Sequence, residues 1–176
     1  MRTSLKDVRC SVAGTMEVLG DGWTALILRD VFAGITRFDL LTEDLGLSRK
    51  TLAARLEELV ADGVLERRAY SERPPRHDYL PTEKGEDLFA VIAAMMAWGD
   101  RWTAGPKGAP ALIRHEACGA ITSAKIVCAE CGEPLELDGV TTEAGPGGRT
   151  GPRTRVLGPM LAGRGPTAAA VGAPAR

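Results

Sequence analysis

The sequence predicts a mainly α fold carrying one small β-hairpin (α+β), on three observations. Apolar residues recur three or four apart in five stretches between Val8 and Trp102, the spacing of helices with one buried face. The turn Leu45-Gly46-Leu47 joins two of those stretches tightly, as in a helix-turn-helix unit. Val64–Tyr70 and Arg76–Leu80 then flank Ser71-Glu72-Arg73-Pro74-Pro75, a turn-rich break between two β-type runs. Together these describe a winged helix-turn-helix.

Taken in order, Met1–Lys6 reads as a short arm, and Val8, Val12, Met16 and Leu19 mark a first amphipathic helix. Gly20-Asp21-Gly22 ends it. Trp23–Phe32 is the most apolar segment of the body and reads as a buried central helix, too short to span a bilayer. Thr36 is expected to begin the third helix, with Arg37 in its first turn and Phe38, Leu41 and Leu45 inward. Ser48 is placed to N-cap the fourth, because its hydroxyl can accept from an unpaired N–H of the first turn. There Leu52, Leu56, Leu59 and Val60 face the core, and Gly63 stands where a helix end often needs positive φ. The proline pair 74–75 cannot donate ladder hydrogen bonds and is assigned to the loop or its edge. Thr82 caps a last helix reaching about Trp102, with Leu88, Ile92, Met95 or Met96, and Trp98 or Gly99 along one side.

The chain has 176 residues and a formal net charge of −1, so it does not advertise nucleic acid. The charge is uneven: residues 139–176 hold five arginines and one glutamate, leaving −5 on residues 1–138. This argues against binding DNA through charge alone, whereas a local cationic patch can still set the contact field. The first turn of the fourth helix supplies one, Arg49, Lys50 and Thr51, followed by the small Ala53 and Ala54 and then Arg55. Small residues between cations allow close approach, and a major groove admits one helix. Arg67, Arg68, Arg73 and Arg76 cluster in the hairpin, partly offset by Glu66, Glu72 and Asp78.

Beyond Thr103 a linker over 104–111 leads to a segment over 112–138, where His115-x2-Cys118-Gly119 and Cys128-x2-Cys131-Gly132 repeat one pattern. Ligands two residues apart can turn around a single ion, and a Cys3His set suits structural Zn²⁺. Free thiols without metal, or a C-x-x-C redox pair, are the alternatives. Four cysteines are too few for a disulfide scaffold and point to a reducing, cytoplasmic setting. No secretory leader or bilayer-spanning apolar run is evident. In residues 139–176, glycine, proline and alanine make up 21 of 38 residues, a composition expected to stay disordered.

The residues Cys10, Leu19-Gly20-Asp21-Gly22-Trp23-Thr24, Leu26-Ile27-Leu28-Arg29-Asp30 and Arg37-Phe38 resemble the HxlR-type winged-helix transcriptional regulators of bacteria. The resemblance continues through Leu52, Arg55-Leu56, Leu59, Asp62-Gly63-Val64-Leu65-Glu66-Arg67, Pro74-Pro75-Arg76, Tyr79, Thr82-Glu83-Lys84-Gly85 and Trp98-Gly99-Asp100-Arg101-Trp102, over about residues 8–103. Two positions depart: Gly22 where a cation often precedes the tryptophan, and Pro81 where a leucine usually precedes the threonine, which is expected to end the second wing strand early. The resemblance implies a homodimer built from the first and last helices, double-stranded DNA with an inverted repeat as partner, repression or activation, and a small-molecule effector. It also implies a redox or electrophile sensor at Cys10, where Arg9 would favour the thiolate; a cysteine acting as a small buried hydrophobe is the alternative.

The expected DNA contacts are Arg37, Ser48, Arg49, Lys50, Thr51, Arg55, Arg73 and Arg76. The expected zinc ligands are His115, Cys118, Cys128 and Cys131. The competing reading is a protein-interaction module with a winged-helix fold and structural zinc. An enzyme is not expected, since no nucleophile–base–orienter set, phosphate-cradling loop or carboxylate pair stands out.

Overall fold

Caps and turns set the path of the chain. In the computed structural model, which describes residues 4–148, 150, 151 and 153–163, helix α1 (Ser11–Leu19) ends before Gly20 at φ 67°. Asp21 then caps α2 (Gly22–Phe32), its carboxylate accepting from the N–H groups of Trp23 and Thr24 at 3.1 and 3.3 Å. Helix α3 (Phe38–Leu45) stops at Gly46, left-handed at φ 62°. Ser48 Oγ accepts from Thr51 N–H at 3.1 Å and opens α4 (Arg49–Ala61), as its hydroxyl predicted.

The end of α4 is a Schellman motif. Gly63 (φ 68°) donates to the Val60 carbonyl at 3.0 Å and Val64 to the Leu59 carbonyl at 2.9 Å. That turn delivers the chain into β1 (Leu65–Glu72), antiparallel to β2 (Pro75–Pro81) with Leu65 opposite Pro81 and Glu72 opposite Pro75. A register shift between Ala69 and Ser71 marks a bulge. Thr82 Oγ1 accepts from Gly85 N–H at 3.2 Å and caps α5 (Glu83–Trp102).

Three local expectations are corrected. The hairpin is longer than expected, and Pro75 and Pro81 lie inside β2 at its two ends; a two-stranded ribbon has open edges, so a missing N–H there breaks no ladder. Pro81 therefore does not end the strand early. Arg37 is the N-cap residue of α3, not part of its first turn, and makes no side-chain cap bond. The reason is Thr36: its hydroxyl donates to Asp78 Oδ1 at 2.8 Å and its carbonyl accepts from Tyr79 N–H at 2.9 Å, drawing this segment alongside β2.

Contacts divide the chain into two compact units, residues 20–134 and residues 1–19 with 135–176. In the first, Ile27 and Leu28 of α2, Leu41 of α3, Leu52, Leu56 and Leu59 of α4, and Val64 and Leu65 form a fully buried core. Burial of each such side chain contributes about 1.5–3 kcal/mol. Gly85 belongs to this packing: a Cβ there would stand 2.1 Å from the Val64 carbonyl oxygen. Beyond α5, β3 (Ile113–His115) pairs with β4 (Ala120–Thr122), His115 opposite Ala120.

In the second unit, the Leu5 N–H donates to the Glu17 carboxylate, while Val12 and Met16 on α1 stay exposed. Leu137–Gly139 forms a single 3-10 turn at the end of the 112–138 segment, and within the stretch expected to be disordered Leu157–Ala162 forms a short helix, α6. Leu157, Met160 and Leu161 are apolar residues in a stretch otherwise rich in glycine and proline, and Pro159 falls in the first turn, where its missing N–H is not needed. Residues 149, 152 and 164–176 lie outside the described residues.

Candidate nucleic-acid interface

Because Ser48 and Thr51 share a hydrogen bond (Oγ to Oγ1, 2.8 Å), the first turn of α4 is held firmly while Arg49 and Lys50 project into solvent. The free N–H groups and the helix dipole make this end attractive to phosphate. Arg49 lies across the Phe38 ring at 4.8 Å and pairs with Asp39 at 2.7 Å. With both side chains about 70% exposed, that pair is worth at most about 1 kcal/mol, so a phosphate can displace it.

The wing supplies the other wall. Arg37 lies 4.7 Å from the Tyr70 ring centroid, with Asp78 3.8 Å from its Nε. Phe38, Asp39 and Arg49 on one side face Tyr70, Arg76, His77 and Tyr79 on the other across an open groove of about 390 Å³. Arg73, Arg76 and Lys50 are exposed, and none makes an ion pair among the described residues. Cations from a helix start and from a hairpin tip thus share one concave, rigidly framed surface.

Arg55, expected among the DNA-facing side chains, turns to the body. It meets Asp21 Oδ2 and Glu58 Oε2, both at 2.6 Å, with under a quarter of its side chain exposed. The Glu58 hydrogen bond foremost, with the negative charges of Asp21 and Glu58 adding, raises its pKa against the opposing effect of its partial burial, and the contact ties α4 to the cap of α2. No local pattern signals this contact, since Asp21 lies 34 positions away. Sequence reasoning also missed Asp39, Phe38 and Tyr70 as arginine holders. Of these, sequence position singles out only Phe38, as an inward-facing residue of α3.

A second polar cluster braces the scaffold. Arg29 donates to Asp30 Oδ1 at 2.7 Å and reaches Asp44 at 3.3 Å, linking α2 to α3. Burial pushes the Asp30 carboxyl above its ordinary value of 3.8, Arg29 opposing and Asp44 adding, and among the described residues Asp30 Oδ2 has no hydrogen-bond partner.

Of the cysteine-rich set, the structure brings His115 and Cys118 together (Nδ1 to Sγ, 3.3 Å). Cys128 and Cys131 also meet: the N–H of Cys131, then that of Glu130, and then the Cys131 thiol lower the Cys128 pKa by hydrogen bonding to its sulfur. Among the described residues, no three His, Cys, Asp or Glu side chains are gathered as a metal site. Cys10 is exposed, and its carbonyl accepts the Gly14 N–H at 3.0 Å at the start of α1. All four thiols are free, and among the described residues no helix is long and apolar enough to cross a membrane.

Comparison with known proteins places this geometry. The family model described as HxlR-like helix-turn-helix matches residues 18–106. An uncharacterized HTH-type transcriptional regulator of Mycobacterium tuberculosis is 44% identical over 137 residues, 78% of this chain and 87% of the relative. The crystal structure of PA1607, described as a candidate transcription factor, superposes with a TM-score of 0.72 at 33% identity, covering 81% of this chain and all of the other. The redox regulator HypR in its reduced form gives a TM-score of 0.50 at 29% identity, over 52% of this chain and 92% of HypR.

Proposed function

Because the chain belongs to the HxlR-like helix-turn-helix family of transcriptional regulators, we propose that it acts as a homodimeric repressor that reads an inverted-repeat operator with α4 and grips the flanking phosphates with the wing. The observation that carries this reading is the groove that unites Arg49 with the hairpin arginine Arg76. Lys50 and Thr51 complete the base-reading turn, Ser48 positions it, and Arg37 and Arg73 add phosphate contacts. Arg55 serves the scaffold.

The dimer reading rests on exposed apolar residues of α5 and α1. On α5, Leu88, Ile92 and Met96 turn toward the body, whereas Val91, Met95, Trp98 and Trp102 stay exposed, both tryptophans at 63%. Their spacing of four, three and four is a single helical stripe. On α1, Val12 is 69% exposed and Met16 45%. A second copy is the occupant that a symmetric, two-half-site operator requires, with half-site centres about 34 Å apart.

The test is binding to an operator selected from random DNA, and to scrambled DNA, at several salt concentrations. Arg49→Ala with Lys50→Ala should relax preference at particular base pairs, at a cost of about 1–3 kcal/mol per lost good contact. Arg76→Ala should weaken all sequences alike and lower the salt slope by about one. Unchanged operator preference in the double variant would remove α4 as the reading helix and favour a protein partner instead.

The redox reading rests on the exposed Cys10 thiol, immediately before the helix that carries the exposed Val12 and Met16, and on the likeness to HypR. Oxidation or alkylation there adds bulk beside the dimerising surface, which loosens the pair on DNA. Mild oxidation should weaken operator binding and thiol should restore it, with Cys10→Ser insensitive. Equal sensitivity in that variant would move the effect to another thiol.

A further inference from the structure

Residues 113–134 contain one structural unit twice. His115 O accepts from Cys118 N–H at 3.2 Å and Gly119 N–H at 2.8 Å, and Cys128 O accepts from Gly132 N–H at 2.9 Å. Both glycines are left-handed, at φ 69° and 76°. Each turn closes a narrow ribbon: β3–β4 ends at His115 opposite Ala120, and the second ribbon is formed by the Val127–Pro134 bridge with Cys128 N–H donating to Glu133 O at 2.8 Å. Each turn therefore presents two potential ligands, three positions apart, at the exposed tip of a hairpin. In the first, the imidazole and thiol already stand 3.3 Å apart, close to the ligand–ligand distances of a tetrahedral zinc site.

A second observation is energetic. No residue from 104 to 134 is buried. Segments this small seldom hold a regular backbone by core burial alone and rely on a metal or disulfide. All the thiols here are free.

We propose that His115, Cys118, Cys128 and Cys131 bind one zinc ion, which draws the two preformed turns together into a single Cys3His tetrahedron. The residues fit the ion by donor type and by turn geometry, two pairs for four positions. What the metal would add is the closure of the two pairs, which among the described residues are not gathered into one cluster. The nine residues 119–127 between the pairs can span about 30 Å when extended, so the chain does not obstruct it. The β3–β4 hairpin also lines a cleft of about 310 Å³ with Met96 and Asp100 of α5, through Leu112, Ile113 and Ile121, so a closed site would anchor it beside that helix. This inference is independent of the DNA reading.

The test is metal content of the full chain purified under reducing conditions, followed by cobalt(II) substitution. The expected result is about one zinc per chain, and cobalt spectra with tetrahedral ligand-field bands and thiolate charge transfer. Cys128→Ser with Cys131→Ser should fall below about a tenth of an equivalent. His115→Ala should lose affinity, and His115→Cys should keep one equivalent with stronger charge transfer, which separates ligation from misfolding. Two ions per chain, octahedral cobalt, a Cys128–Cys131 disulfide forming equally fast with and without zinc, or zinc content unchanged in the double variant would each overturn the site.

Discussion

The turn after α4 and the two turns of residues 113–134 use the same backbone device, a glycine with positive φ whose N–H returns to a carbonyl three or four residues earlier. Their settings differ completely. The turn at Gly63 leads straight into Val64 and Leu65, both buried, and its neighbouring carbonyl is claimed by Thr82. The turns at Gly119 and Gly132 lead to side chains that remain accessible. One device serves a core in the first region and presents chemistry to solvent in the second. Where burial supplies the stability, local geometry only has to permit the fold; where it does not, the same geometry has to be held by something else.

Substitutions should expose that contrast, and Leu56→Ala should do so most strongly. Leu56 is fully buried, so its truncation should cost about 2–5 kcal/mol in urea unfolding, whereas Ile121→Ala on exposed β4 should stay within about 0.5 kcal/mol. Equal effects would mean that residues 113–134 share the core after all.

Gly85→Ala comes next. The new methyl would meet the Val64 carbonyl at 2.1 Å, and overpacking of this kind costs about 1–3 kcal/mol. Thermal melting should fall accordingly, while Gly119→Ala should leave that melt in place and act only on metal content.

Ser48→Ala removes a cap that accepts the Thr51 N–H, at a cost of about 1 kcal/mol. Operator affinity should fall by more than this stability loss explains, because the same turn carries Arg49 and Lys50; equal losses in melting and binding would make Ser48 purely structural.

The smallest effect is one of pH. Asp30 has its folded pKa raised by burial, so its contribution favours the fold below the unfolded value of 3.8 and is lost as pH rises through the folded value. Compared with Asp30→Asn, the native chain should lose stability across that window. Parallel urea midpoints for both proteins over a pH series would refute the assignment.

Local chemistry was legible in the sequence wherever a residue acts on its near neighbours. Ser48 and Thr82 cap as their hydroxyls predict, Gly46 and Gly63 turn left-handed where helices must end, and Leu52, Leu56 and Leu59 face inward on one helical period. The repeated ligand-x-x-ligand-glycine pattern likewise became two matching turns, because the hydrogen bonds that define each span only a few residues. Only the tertiary structure decided which of the cations are left for a ligand. Arg49 and Arg55 sit six residues apart in one helix with similar sequence surroundings. Yet Arg55 meets Asp21 while Arg49 stays in the groove beside the wing, because the N-cap that starts α2 lies beside one, and Phe38 and Asp39 of α3 lie beside the other. The same holds for α5, where sequence left Met95 and Met96 interchangeable and packing turned Met96 toward the body and Met95 out. Helical period alone fixes which residues share a face; which face is covered depends on elements far away in the chain, and that information is carried by no local pattern.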